Sequence, residues 1–230
     1  MKVKICGITT LDAAQAAIEA GADMLGFNFY PASPRYIAPE DCARIIVDLT
    51  ACPVCRVPCL GSPVTLVGVF VNSPAQEVTS ILDHCALDLA QLSGDEPPEM
   101  LNQFGGRAFK AIRPLTGALA EESARRYAPA SWGQPALLVD TPHKRLYGGS
   151  GQIGDWAMAS YLARKYSILL AGGLTPDNLS TAVQQVKPWG VDVASGVESS
   201  PGVKDYLKMR AFVQAARQAD IVSAQELIVC

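Results

Sequence analysis

The chain predicts an α/β protein folded as a single-domain (β/α)8 TIM barrel. Short apolar runs alternate with amphipathic segments about eight times, the count that closes such a barrel. Several of those runs, Leu66 to Val71 most clearly, are apolar almost throughout, as parallel strands covered on both faces should be. With 230 residues and 49% hydrophobic content, the chain has enough apolar mass for one such core. An open doubly wound sheet is the competing architecture on spacing alone. No G-x-G-x-x-G follows the first strand, which argues against its dinucleotide-binding form.

The elements follow in order. Val3 to Ile5 is a short apolar strand, and Leu11 to Ala20 an Ala-rich helix closed by Gly21. Met24 to Phe29 is the next strand, and Pro39 to Leu49 a helix opened by Pro-Glu-Asp. After the strand Leu66 to Val71, Asn72-Ser73-Pro74 starts a helix running to about Cys85. Strands at Leu87 to Leu92, Phe109 to Ile112 and Ala136 to Val139 alternate with helices at Pro98 to Phe104, Ala118 to Tyr127 and Asp155 to Lys165. Ile168 to Leu170 and Val191 to Ala194 are the last strands, with helices at Pro176 to Val186 and Tyr206 to Gln218. Thr50 to Thr65, rich in Pro and Cys, reads as a loop insertion within the domain.

Composition narrows the function. A net charge of −3 offers no basic field for nucleic acid or an anionic membrane. No apolar run approaches the roughly 20 residues that span a bilayer, and the start of the chain does not read as a secretion signal. We expect a cytoplasmic protein with reduced thiols. Of its seven cysteines, Cys52, Cys55 and Cys59 crowd one loop. Cys52-Pro53-Val54-Cys55 has a metal-knuckle spacing, but a structural zinc site takes four ligands and no His lies nearby, so no metal is expected.

In a barrel the chemistry gathers where strands end and the following loops begin. Those ends read Cys6, Asn28, Gln91, Arg113, Asp140, Gly172-Gly173 and Ser195-Gly196, polar or small where each preceding strand is apolar. Loops after the seventh and eighth strands are the usual phosphate grip of this fold, aided by a helix N-terminus. Gly172, Gly173, Ser195 and Gly196 occupy those positions, and Gly148-Gly149-Ser150-Gly151 could add further donors or act as a flexible lid. Glycines also make ordinary tight turns; their presence at both phosphate positions favours the binding role.

Lys4-Ile5-Cys6-Gly7-Ile8-Thr9 resembles the N-terminal signature of the phosphoribosylanthranilate isomerases of tryptophan biosynthesis. Collinear with it are Gly26-Phe27-Asn28-Phe29, Ser33-Pro34-Arg35-Tyr36, Gln91-Leu92-Ser93-Gly94-Asp95, Leu138-Val139-Asp140, Leu170-Ala171-Gly172-Gly173-Leu174 and Asp192-Val193-Ala194-Ser195-Gly196-Val197-Glu198. Val67 to Asn72 and Pro201 to Asp205 extend the likeness over nearly the whole chain. The resemblance implies an Amadori rearrangement of an N-phosphoribosyl aromatic amine, run by one acid and one base without cofactor or metal. It implies Cys6 as general base, Asp140 as general acid and Arg35 on the anthranilate carboxylate, which a guanidinium holds bidentately. Asp192 joins the two glycine-rich loops in the substrate-binding set. The expected partner is a small phosphosugar, with no nucleic acid or membrane and a monomer or homodimer as the working unit.

Each role has a plainer counterpart: a buried Cys is usually a small hydrophobe, Asp140 before Thr-Pro can simply form a turn, and Arg35 can be an exposed loop arginine. The catalytic roles are also demanding. A free thiol titrates near 8.5 and an aspartate near 3.9, so Cys6 needs help to ionise and Asp140 needs burial to hold a proton. Strand alternation adds an expectation: Lys4 shares a face with Cys6, the first and last strands adjoin in a closed barrel, and Lys4 should therefore pair with Asp192 inside it.

Ser93 stands where the family usually has His, and Gly154 where a Phe commonly precedes Asp-Trp. The histidine-pathway sugar isomerases, which run the same rearrangement in a similar barrel, would place an aspartate at Cys6. Indole-glycerol-phosphate synthase calls for a catalytic lysine among strand ends that carry few. A non-catalytic sugar-phosphate sensor would dispense with Cys6 or Asp140, and both are present.

Overall fold

A computed structural model describes residues 1–51, 64–128, 135–140 and 156–228. Eight strands, β1 (Lys2–Cys6), β2 (Met24–Asn28), β3 (Thr65–Phe70), β4 (Leu89–Leu92), β5 (Ala108–Ile112), β6 (Leu137–Val139), β7 (Ile168–Leu170) and β8 (Gly190–Val193), pair in sequence order as a closed parallel barrel. Closure comes from β1 against β8, with Lys4 in register with Asp192. The helices α1 (Leu11–Glu19), α2 (Pro39–Ala51), α3 (Ala75–His84), α4 (Pro98–Leu101), α5 (Gly117–Tyr127), α6 (Trp156–Ala163), α7 (Leu179–Val186) and α8 (Tyr206–Ile228) alternate with the strands.

Two apolar layers follow from strand alternation. Inward-facing Met24, Val67, Leu89, Phe109, Ala111, Leu138, Leu169 and Ala171 fill the barrel. The opposite strand faces pack on the helices, for example on Ala13, Ala14, Ala17 and Ile18 of α1. At about 1.5–3 kcal/mol for each fully buried large apolar side chain, this double layer supplies most of the drive to fold. Thr10 and Thr116 cap α1 and α5, their hydroxyls accepting from Ala13 N and Leu119 N, each worth about 1 kcal/mol.

The fold class is as expected, with differences at element ends. α7 begins at Leu179 rather than Pro176, because Asn178 Oδ1 accepts from Thr175 N and its Nδ2 donates to Gly173 O, holding 175–178 as a turn. The fourth helix tightens after one turn into a 3-10 segment at Asn102–Phe104. α8 runs ten residues beyond Gln218. A short hairpin of β9 (Glu198–Ser200) and β10 (Val203–Lys204) went unforeseen. Its strands are too short for a period to be read, and Gly202, at φ 84°, turns it. The proposed insertion is trimmed at both ends, Thr50 lying in α2 and Thr65 in β3. Its cysteines, Gly148 to Gly151, Gly154 and the start of the sixth helix at Asp155 lie outside the described residues. Among the described residues no helix is long and apolar enough to cross a membrane.

Candidate active site

Cys6 is the last residue of β1, and alternation turns Lys4 onto the same interior face. Cys6 is 8% exposed and Lys4 fully buried. Gly26 of β2 lies opposite Cys6. A Cβ there would come within 2.8 Å of Cys6 Sγ and 3.1 Å of Lys4 Nζ, so the glycine leaves room for thiol and ammonium together. Lys4 Nζ donates to Asp192 Oδ1 at 2.7 Å and to Gln91 Oε1 at 3.0 Å. The expected buried pair is present, with Gln91 as a third partner.

From Gln91 the polar contacts continue across the barrel. Gln91 Nε2 donates to Ser93 Oγ at 3.1 Å. Arg113 Nη2 donates to Ser93 O at 2.8 Å, and Arg113 Nε lies 3.8 Å from Asp140 Oδ2. Asp140 follows β6, its N–H donating to Ile112 O. A chain of polar side chains thus runs from Asp192 and Lys4 beside Cys6 to Asp140 after β6. Ser93 serves that chain with its hydroxyl on one side and its carbonyl on the other.

The β4–α4 loop that carries Ser93 is held from outside the barrel. Glu96 accepts from Asn72 N at 2.8 Å, Gly94 N at 2.9 Å and Lys110 Nζ at 2.7 Å. These charge-assisted bonds fix the loop that presents Ser93 O to Arg113.

The charge around Cys6 is mixed. Burial pushes its thiol above the ordinary range; Lys4 opposes that, Asp192 adds to it, and Lys204 opposes it from β10. Burial also presses Lys4 downward, but Asp192 and then Cys6 outweigh it and leave Lys4 raised and protonated. Burial lowers Lys204, with Glu198 and Cys6 resisting. Lys4 and Lys204 thus favour the Cys6 thiolate, against burial and Asp192, which favour the thiol.

Asn28 ends β2 and shapes the loop beyond it: its Oδ1 accepts from Tyr30 N and its Nδ2 donates to Ser33 Oγ, which in turn accepts from Arg35 N. Arg35 lines the cavity, and its guanidinium meets Glu198 through Nε at 2.8 Å and Nη2 at 2.7 Å. Gly172 and Gly173 take φ of 92° and 66°, values open to glycine but strained for other residues. Gly196 lies so close to Leu174 O that any Cβ would overlap it. Ser195 to Val197 form a single 3-10 turn, whose first N–H groups lack partners within the turn.

These elements meet around one cavity of about 280 Å³ at the C-terminal mouth of the barrel. Cys6, Asp140, Arg35, Gly172, Gly173, Asp192, Ser195 and Gly196 all line it, so the structure brings these predicted residues together, while Gly148 to Gly151 lie outside the described residues. Arg113, Gln91 and Ser93 also line it, whereas Glu198 and Lys204 stand behind Arg35 and Cys6. The roles of Gln91 and Arg113 had a signal in their strand-end positions. Those of Glu198 and Lys204 had none, since they depend on the unforeseen hairpin. Among the described residues no three His, Cys, Asp or Glu side chains gather as a metal would require.

Residues 3–215 match the family model described as N-(5'phosphoribosyl)anthranilate (PRA) isomerase. A protein of Magnetococcus marinus named N-(5'-phosphoribosyl)anthranilate isomerase is 45% identical over 219 residues, 95% of this chain and 96% of that one. The crystal structure of phosphoribosyl anthranilate isomerase from Thermotoga maritima superposes with a TM-score of 0.80 at 34% identity, covering 95% of this chain and 99% of that one. A second structure of phosphoribosyl anthranilate isomerase, in complex with reduced 1-(o-carboxyphenylamino)-1-deoxyribulose 5-phosphate, matches with a TM-score of 0.77 at 34% identity and the same coverage.

Proposed function

The chain belongs to the N-(5'-phosphoribosyl)anthranilate isomerase family, and from that premise we propose that Cys6 is the general base and Asp140 the general acid of its reaction. The protein isomerises N-(5'-phosphoribosyl)anthranilate in tryptophan biosynthesis. The observation that carries the reading is the shared cavity: Cys6 faces it from β1, Asp140 from the end of β6, and the two glycine-rich loops close a third side.

Asp140 gives a proton to the ribose ring oxygen as the C1–O bond breaks, leaving a protonated Schiff base between C1 and the aromatic nitrogen. The Cys6 thiolate then removes the proton from C2, and the electron pair of that C–H bond becomes the C1–C2 double bond of an enolamine. The enolamine gains a proton at C1 and loses one from the C2 hydroxyl, giving the ketone. Every proton gained is matched by one lost, so acid and base suffice. Lys4 and Lys204 favour the thiolate when it forms, and Asp192 anchors Lys4. Gly172, Gly173, Ser195 and Gly196 bind the phosphate through backbone N–H groups. Arg35 receives the anthranilate carboxylate. The substrate is a small phosphosugar and the reaction uses neither cofactor nor metal. We place the protein in the cytoplasm as a monomer or homodimer, a single domain without nucleic-acid or membrane partners.

The test is to mix purified protein with freshly generated N-(5'-phosphoribosyl)anthranilate and follow the loss of anthranilate-type fluorescence. Turnover above the spontaneous background supports the reading, and its absence overturns it.

A further inference from the structure

Arg35 does not stand alone at the rim of the cavity. Its Nε and Nη2 grip Glu198 as a two-bond fork, and Glu198 Oε1 also accepts from Lys204 Nζ at 2.9 Å. Lys204 Nζ donates in addition to Ala194 O, the carbonyl just before the Ser195–Gly196 turn, at 3.0 Å. The aliphatic stem of Arg35 lies over Gly7, next to Cys6, where a Cβ would meet Arg35 Cδ at 2.6 Å. Glu198 is itself fixed, its backbone carbonyl accepting from Lys208 Nζ at 2.9 Å. The three side chains are 13%, 4% and 1% exposed for Arg35, Glu198 and Lys204.

Two features of this cluster point past packing. First, two buried cations share one carboxylate, so the cluster carries one positive charge more than its partner carboxylate balances, beside a cavity that an anionic ligand can enter. Second, the fork commits one edge of the guanidinium to Glu198 and leaves Nη1 to meet a ligand. A guanidinium gripped on one side loses its rotational freedom before a ligand binds, which lowers the entropic cost of ordering it.

We propose that Glu198 is the positioning residue for Arg35, holding its Nε–Nη2 edge so that the other edge meets the carboxylate of the aromatic amine, with Lys204 fixing Glu198 from behind. This rests on the reading that Arg35 receives that carboxylate. Glu198 does not touch the substrate; it sets selectivity for carboxylated over uncarboxylated amines. Through the Ala194 carbonyl, Lys204 ties the same device to the phosphate loop.

The experiment compares kcat/KM for N-(5-phosphoribosyl)anthranilate with that for the adduct of aniline and ribose 5-phosphate, which lacks the carboxylate. The ketose products are separated by chromatography. Arg35→Met, Glu198→Gln and the charge-balanced double variant Glu198→Gln/Lys204→Met are measured beside the unmodified protein, each checked for fold by circular dichroism. The double variant supplies the answer if Glu198→Gln alone, with two cations left unmatched, fails to fold. We expect Arg35→Met to remove most of the preference for the carboxylated substrate. The Glu198 variants should lower that preference roughly tenfold, chiefly through KM, as a misaimed positioning group does. Glu198→Asp should restore part of it. If Arg35→Met collapses the preference and the folded Glu198 variants keep it, the positioning role is overturned. If Arg35→Met leaves the preference unchanged, the assignment of Arg35 fails and the inference falls with it.

Discussion

Replacing Lys4 by Met tests the electrostatic base of the site. The ammonium is fully buried, 2.7 Å from Asp192 Oδ1 and 3.0 Å from Gln91 Oε1. At an effective dielectric constant of about 20, unit charges 2.7 Å apart attract by about 6 kcal/mol, most of it offset by the desolvation of both ions. The pair as a whole is therefore worth little, but breaking it is not. Lys4→Met leaves Asp192, 8% exposed, with its buried charge unmatched, which should cost about 3–5 kcal/mol. In a chain of this size that lowers the melting temperature by roughly 6–20 °C. Lys4→Met/Asp192→Leu removes both charges and should recover most of the loss. Urea melts followed by far-UV circular dichroism complete the double-mutant cycle. A loss below about 1 kcal/mol for the single variant, or simple additivity in the double, would refute the claim that the two charges depend on each other.

Two further outcomes follow from the same geometry. A base must be deprotonated to act, and burial raises the Cys6 thiol, so in Asp140→Asn, where the acid no longer titrates and cannot offset the gain in thiolate, the residual kcat/KM should climb with pH through and beyond the ordinary thiol range. Lys4→Met should move that rise to still higher pH, whereas a profile flat between about pH 6 and pH 9 would sink the thiolate assignment. Gly196→Ala forces a Cβ against Leu174 O and should cost about 1–3 kcal/mol in a urea melt while raising KM; stability within about 0.5 kcal/mol of the parent would contradict the close approach described here.

Much of this architecture was legible in the residues. The strand of Leu66 to Val71 announced itself by being apolar on both faces, and observed β3 differs from it by one residue at each end. The period of two carried further than element type. It placed Lys4 beside Cys6 and across from Asp192, and the register and the 2.7 Å contact agree. Gln91 escaped as their partner because alternation says which way a side chain points, not which of several inward residues across the barrel it reaches. Asn178 shows a different limit. The Pro at 176 signals a helix start, but the Asn side chain bonds back to Gly173 and Thr175 and delays α7 to Leu179. The Arg35–Glu198–Lys204 cluster was hidden because its members are joined only through tertiary contacts made by a hairpin with two- and three-residue strands.

If the Cys6 thiol and the Asp140 carboxyl move the protons in this cavity, removing either should stop the chemistry while leaving the fold. The most direct measurement follows loss of N-(5'-phosphoribosyl)anthranilate fluorescence under saturating substrate with the parent protein, Cys6→Ala and Asp140→Asn. Each variant should fold, still bind substrate and lose at least about 100-fold in kcat, as removal of a positioned acid or base does. Either folded variant turning over within a few-fold of the parent would contradict those roles.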